Sequence, residues 1–207
     1  TLTPDTRSAV PSVTSRPALA AAAPGDAIEI QDGARGSGWA TTITAQGTAA
    51  NPIYILTETI GGATFTGSVK WTFDGAEHIV VAGLDYGANQ GVVLKNGASH
   101  IRITGTELDH DSVTVNTNRW MTIQDNAPAT PVSDIEIDNN YHVNLKGNWI
   151  FAQQCSYFNY AKTQSNCPDS TKRVYIYQNT AMSPAGGIVV TTGARNPMYM
   201  FYFGIGW

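Results

Sequence analysis

Charge is scarce in this chain. Asp, Glu, Lys and Arg make up 14% of its 207 residues, 16 acidic against 12 basic, for a net charge of -4. No run of Lys or Arg occurs, so nothing would draw the chain to a nucleic acid backbone or an anionic membrane, both of which need clustered positive charge. No apolar run reaches the roughly 20 residues of a membrane-spanning helix. Cysteine is nearly absent: only Cys155 and Cys167 occur, neither with another Cys or His at ligand spacing. With the four histidines scattered at 78, 100, 110 and 142, a zinc site of the usual closed pattern is excluded.

What is present is 42% hydrophobic residues, 20 glycines and much Thr, Asn and Ser. That balance suits a β-rich secreted protein with a polar, weakly ionic surface. The length fits one domain over 1–207, with 1–10 a flexible N-terminus. The two cysteines share one polar segment, where a Cys155–Cys167 disulfide would pin a loop that has little core of its own.

In "PALAAAAPGDAIEIQDG" an alanine run stops at Pro24-Gly25 and alternating Ile28 and Ile30 follow. The first part predicts a short helix over 12–24, the second a strand with one buried face. The strand then recurs: "NPIYIL" at Ile53, "AEHIVVAGL" at Ile79, "ASHIRITGT" at Ile101, "VSDIEIDNN" at Ile135, "TKRVYIYQN" at Val174 and "NPMYMFYFG" at Tyr199. A second series places "GVVLKN" at Val92, "SVTVNT" at Val113, "NWIFAQ" at Ile150 and "GIVVTT" at Ile188. Repeats this short cannot bury a face alone and must stack. Two strand series in step predict an all-β fold, a right-handed single-stranded parallel β-helix with two or three sheets, whose open N-terminal end the helix caps.

Coil length grows where material is inserted at one corner, at 116–133 and 152–172. These insertions carry Arg119, Trp120, Tyr157, Phe158, Tyr160 and Lys162. The apolar C-terminal "MYMFYFGIGW" would pack across the last coil or join another chain, so self-association is a second expectation. Asn140 falls over Asn179 in the repeat register, as stacked asparagines of a β-helix turn would.

The order "LAAAAPGDAIEIQDG", "GTAANPIYILTET", "GGATFTG" and "HIVVAGLDY" resembles the start of the chondroitinase B and alginate lyase group, family six of the polysaccharide lyases. The likeness covers Ala18 to Leu108. It implies a helix-capped parallel β-helix and β-elimination of an acidic polysaccharide, alginate first. It also implies calcium on the uronate carboxylate, and a Lys and an Arg as base and acid. In the family those residues lie in later coils than the stretch matched here, so the machinery must come from this chain's own second half.

Elimination needs a group that neutralises the carboxylate, a base for the C5 proton and an acid for the leaving O4. "NNYHVNLKGN" offers Tyr141, His142 and Lys146, with Arg195 further on, as candidate catalytic groups. Arg119, Trp120, Tyr157, Tyr160 and Lys162 are the candidate substrate contacts, guanidinium for carboxylate and aromatic rings for sugar faces. The plainer alternatives are a solvated turn lysine, a hydrogen-bonded turn histidine and aromatics that pack the cystine loop. "ELDHDS" at Glu107 to Ser112 reads as a calcium corner or a polar turn. Two other functions stay open: a uronate C5-epimerase on the same architecture, and a non-catalytic carbohydrate-binding or structural solenoid.

Overall fold

From the second strand onward, each strand pairs with the one three places later in the chain, always in parallel. A computed structural model describes residues 12–13, 17–66, 69–86, 91–109, 119–124, 130–143, 148–153 and 172–181. The seven-stranded sheet contains β1 (Ser12–Val13), β2 (Ala27–Ile30), β5 (Ile53–Thr57), β8 (Glu77–Ala82), β11 (Ser99–Thr104), β14 (Ser133–Asp138) and β17 (Lys172–Tyr177). A six-stranded sheet contains β3 (Gly33–Arg35), β6 (Ala63–Phe65), β9 (Asp85–Tyr86), β12 (Glu107–Asp109), β15 (Tyr141–Val143) and β18 (Thr180–Ala181). The five-stranded sheet contains β4 (Thr41–Ile43), β7 (Lys70–Asp74), β10 (Gly91–Lys95), β13 (Arg119–Gln124) and β16 (Asn148–Gln153). The chain visits the three in turn, which is a parallel β-helix.

Period-two alternation explains why these segments are strands and why they stack. Ile53, Ile79, Ile101, Ile135 and Val174 are register partners on successive coils, as the repeat predicts. Ile55, Val81, Ile103, Ile137 and Ile176 form the row beside them. The first four of each row are fully buried, and each such side chain contributes about 1.5–3 kcal/mol relative to exposure. The first coil departs from expectation: Ile28 pairs with Ile55, not Ile53. A slip of two residues keeps the same side chains inward, so alternation alone cannot detect it.

The N-terminal cap also differs. Helix α1 is confined to Pro17–Ala20, with Leu19 inserted into the core, while Ser12–Val13 forms a strand on β2. The free edge of β2 offers unpaired amides and carbonyls, and a strand satisfies them where a helix cannot. Asp26 closes the turn after the alanines by accepting from the Ala23 amide at 2.8 Å.

The corner between the seven- and six-stranded sheets is tight and repeats a left-handed residue: Gly83, Gly105, Asn139 and Gln178, with φ of 81°, 59°, 54° and 54°. After Gly83 comes the buried Leu84, but after the next three corner residues Thr106, Asn140 and Asn179 build a polar ladder. Thr106 N and Oγ1 donate to Asn140 Oδ1 at 2.9 and 2.5 Å. Asn140 N and Nδ2 donate in turn to Asn179 Oδ1 at 3.0 and 2.8 Å. Asn140 Nδ2 also reaches Ile103 O, and Asn179 Nδ2 reaches Ile137 O. The expected stacking of Asn140 over Asn179 is present.

Inside the six-stranded wall, aromatic rings form a spine. Phe65 contacts Tyr86 at 6.0 Å, Tyr86 contacts Trp120 at 6.2 Å, and Trp120 lies edge-on to His142 at 4.3 Å. On the outside of the seven-stranded sheet, Arg102 grips the buried Asp138 with Nε and Nη2 at 2.9 and 2.7 Å. Burial alone would push this carboxyl up, yet Arg102, Thr104 and Asn139 outweigh it and hold it below the ordinary 3.8.

Two measurements follow. Trp120→Ala should cost about 3–5 kcal/mol in chemical denaturation, the loss for an emptied aromatic site in a core. A carboxylate held below its ordinary value stabilises the fold above pH ~4, and the contribution is lost as pH falls through the folded value. Asp138→Asn should therefore lower the melting temperature at pH 7 and narrow the gap between pH 7 and pH 3.

Candidate functional site

Insertions mark where a solenoid can carry function, and here they gather around one sheet. The corner from the seven- to the six-stranded sheet stays tight from Gly83 onward. By contrast, 110–118 precedes β13, 125–132 follows it, 144–147 precedes β16 and 154–171 follows that. The longer segments thus all enter or leave the five-stranded sheet.

The outer face of that sheet has Thr42, Thr72, Val93 and Thr122 in one register column. Thr42 is exposed, but Val93 is only 3% and Thr122 9% exposed, although Val93 lies outside the interior cluster. The centre of this outer face is therefore shielded from solvent. At its C-terminal edge Lys95 pairs with Asp74 at 3.0 Å, and Asn96 Nδ2 donates to the same carboxylate at 2.6 Å. The Asn96 hydrogen bond, then Lys95, holds Asp74 below its ordinary value.

The N-terminal edge is basic. Lys70 opens β7, is exposed and has no acidic partner among the described residues. Arg119 opens β13 and pairs in register with Asn148, the first residue of β16. Lys146 stands two residues before Asn148 in the chain. Winding therefore brings the backbones of Lys70 and Arg119, far apart in sequence, to one edge. Arg119 and Lys146 were expected to contribute; Lys70 was not singled out, because its neighbours read only as an interior strand.

Two other expected site residues are corrected. Trp120 and His142 are both completely buried, with His142 Nε2 3.0 Å from Thr106 Oγ1. Neither reaches a polymer outside the solenoid; both are parts of the core. The cause is a misplaced strand: Val92 pairs with Met121 rather than Val113, and Met121 with Ile150. The segment 116–133 read as an insertion therefore contains β13. "RWMTIQ" buries Trp120 and Met121 side by side, which breaks the alternation that reveals a strand.

Tyr141 faces outward at 52% exposure, but on the six-stranded sheet, in register with Glu107. Lys146, Arg195, Tyr157, Phe158, Tyr160, Lys162, Cys155, Cys167 and Val113 lie outside the described residues, as does the side chain of Arg119. Glu107–Asp109 is strand β12 rather than a turn. Among the described residues no three His, Cys, Asp or Glu side chains are grouped to hold a metal ion; Asp109's side chain, His110 and Asp111 are not among them.

No family model and no curated protein matches the chain. Solved structures do. The PL6 family alginate lyase AlyGC is similar over 79% of this chain and 24% of its own, at 17% identity and a TM-score of 0.55. An alginate lyase from Paenibacillus sp. str. FPU-7 is similar over 78% of this chain and 54% of its own, at 20% identity and a TM-score of 0.54. The PL6 family polysaccharide lyase Pedsa3628 from Pseudopedobacter saltans gives 78% and 39%, at 16% identity and a TM-score of 0.55. The chain thus spans between 24% and 54% of the lengths of these proteins. What it shares with these polysaccharide lyases is their fold, the parallel β-helix.

Proposed function

We propose that this chain acts on a uronate polymer, alginate first, by β-elimination at the N-terminal edge of the five-stranded sheet. One observation carries the reading: the basic edge where Lys70 and Arg119 open neighbouring strands, on a solenoid that shares its fold with alginate lyases. A uronate carboxylate must be neutralised before its α-proton becomes acidic, and a cluster of cations supplies that. Arg119 is the bidentate clamp and Lys70 a second point charge. Lys146, two residues before β16 in the chain, is the proposed base.

The C5 proton passes to Lys146 and the electron pair left behind delocalises onto the neutralised carboxylate. It then forms the C4–C5 double bond as the C4–O4 bond breaks, and a general acid protonates O4. Arg195 is the proposed acid; Tyr157, Tyr160 and Lys162 are proposed to contact the polymer. Calcium, if used, would assist at the carboxylate. A polymeric substrate also fits a secreted protein with a Cys155–Cys167 disulfide.

The second reading, a solenoid that only binds carbohydrate, gains from the burial of His142 and Trp120, which removes two candidates from the surface. One assay separates the two. Alginate, pectate and chondroitin sulfate, each with and without calcium, are followed by the absorbance of the unsaturated uronate product. A rise on alginate is expected, with Lys146→Ala reducing the rate by about 100-fold or more and Lys70→Ala raising KM more than it lowers kcat. A flat trace on all three overturns the lyase reading; if the polymer's epimer composition nevertheless changes, the chain is an epimerase.

A further inference from the structure

We infer that the outer face of the six-stranded sheet is a second carbohydrate site, built for an uncharged sugar and independent of the lyase reading. Its outward column runs Thr64, Asp85, Glu107 and Tyr141, partners on successive coils, so the side chains rise from backbones about 4.8 Å apart.

Three features converge there. Tyr141 is 52% exposed, a large ring unsupported by the core. Glu107, one strand away, is exposed and its carboxylate has no hydrogen-bond or ion-pair partner among the described residues. The turn after β5 leans over the tight corner at Gly83, where Gly61 N donates to Gly83 O at 2.7 Å and Thr57 Oγ1 donates to the same carbonyl at 3.1 Å. Any side chain at Gly83 would strike Thr57, since a Cβ would lie 2.3 Å from Oγ1. This turn reaches Glu107, for a Cβ on Gly61 would lie 3.1 Å from Oε2. It also presents Ile60 at 77% exposure.

An acceptor thus stands one rung from an aromatic ring, and the turn that reaches it carries an exposed aliphatic residue. A hexose offers the complement: an apolar C–H face for Tyr141 and hydroxyl donors for Glu107. The acidic residues Asp85 and Glu107 on neighbouring rungs disfavour a uronate carboxylate, whereas an uncharged sugar meets no such repulsion. The two faces of the solenoid would then sort sugars by charge, acidic units to the basic edge and neutral ones to the acidic column. This assigns Tyr141 to binding, not to proton transfer.

Titration of the full chain by NMR or calorimetry tests this, with cellohexaose and mannohexaose as uncharged probes, an alginate oligomer as the anionic probe, and calcium alone. Saturable binding of at least one uncharged hexaose is expected. Tyr141→Ala should weaken it about tenfold or more, and Glu107→Gln should weaken it less. Tyr54→Ala and Tyr175→Ala, exposed on the seven-stranded sheet, should leave it unchanged. Unaltered melting of Tyr141→Ala would show that the loss is not unfolding. The inference is overturned if neither hexaose binds, if Tyr141→Ala binds like the wild type, or if calcium or the alginate oligomer proves to be the ligand that depends on Tyr141 and Glu107.

Discussion

Register between successive coils is the constraint on which the rest depends. The inward rows at Ile53–Ile79–Ile101–Ile135 and Ile55–Val81–Ile103–Ile137 stay aligned because a one-residue slip would turn each strand's apolar set outward. Once that alignment holds, every outward residue also acquires fixed neighbours above and below. The columns discussed above, basic at one edge and acidic on another face, are consequences of the same register that builds the core.

Polar groups inside the solenoid obey the same rule. A tight corner turned by Gly83, Gly105, Asn139 and Gln178 leaves backbone groups in the interior, and the Thr106–Asn140–Asn179 ladder satisfies them coil by coil. Buried amides left unpaired would each cost about 1–3 kcal/mol. The ladder therefore fixes the geometry of this corner, and growth of the coils occurs around the five-stranded sheet instead. Such a division of labour gives one rigid side and one side free to carry long segments.

Electrostatics divides the surface in a similar way. The described cations Lys95 and Arg102 are paired, with Asp74 and Asp138 respectively, and so belong to the scaffold. Lys70 has no acidic partner among the described residues and stands at the edge where Arg119 opens β13. On the six-stranded sheet the acidic residues Asp85 and Glu107 stand beside an exposed ring. With a net charge of only -4, it is placement and not total charge that distinguishes these faces.

Alternating Ile and Val at coil-length intervals made the seven-stranded sheet legible, down to Val174, because alternation and burial report the same physical fact. The five-stranded sheet was half legible: Val92 and Ile150 were found, but "SVTVNT" alternates better than "RWMTIQ", and only pairing shows Met121 in the ladder. The six-stranded sheet was hidden, since strands of two or three residues carry no period. By itself, then, the sequence determined the solenoid, its apolar rows and the asparagine stack, which are local patterns repeated. Tertiary structure alone decided that Trp120 and His142 point inward, that Tyr141 faces outward beside Glu107, and that Lys70 and Arg119 open strands at one edge, because which residues share a rung depends on coil lengths that no local pattern encodes.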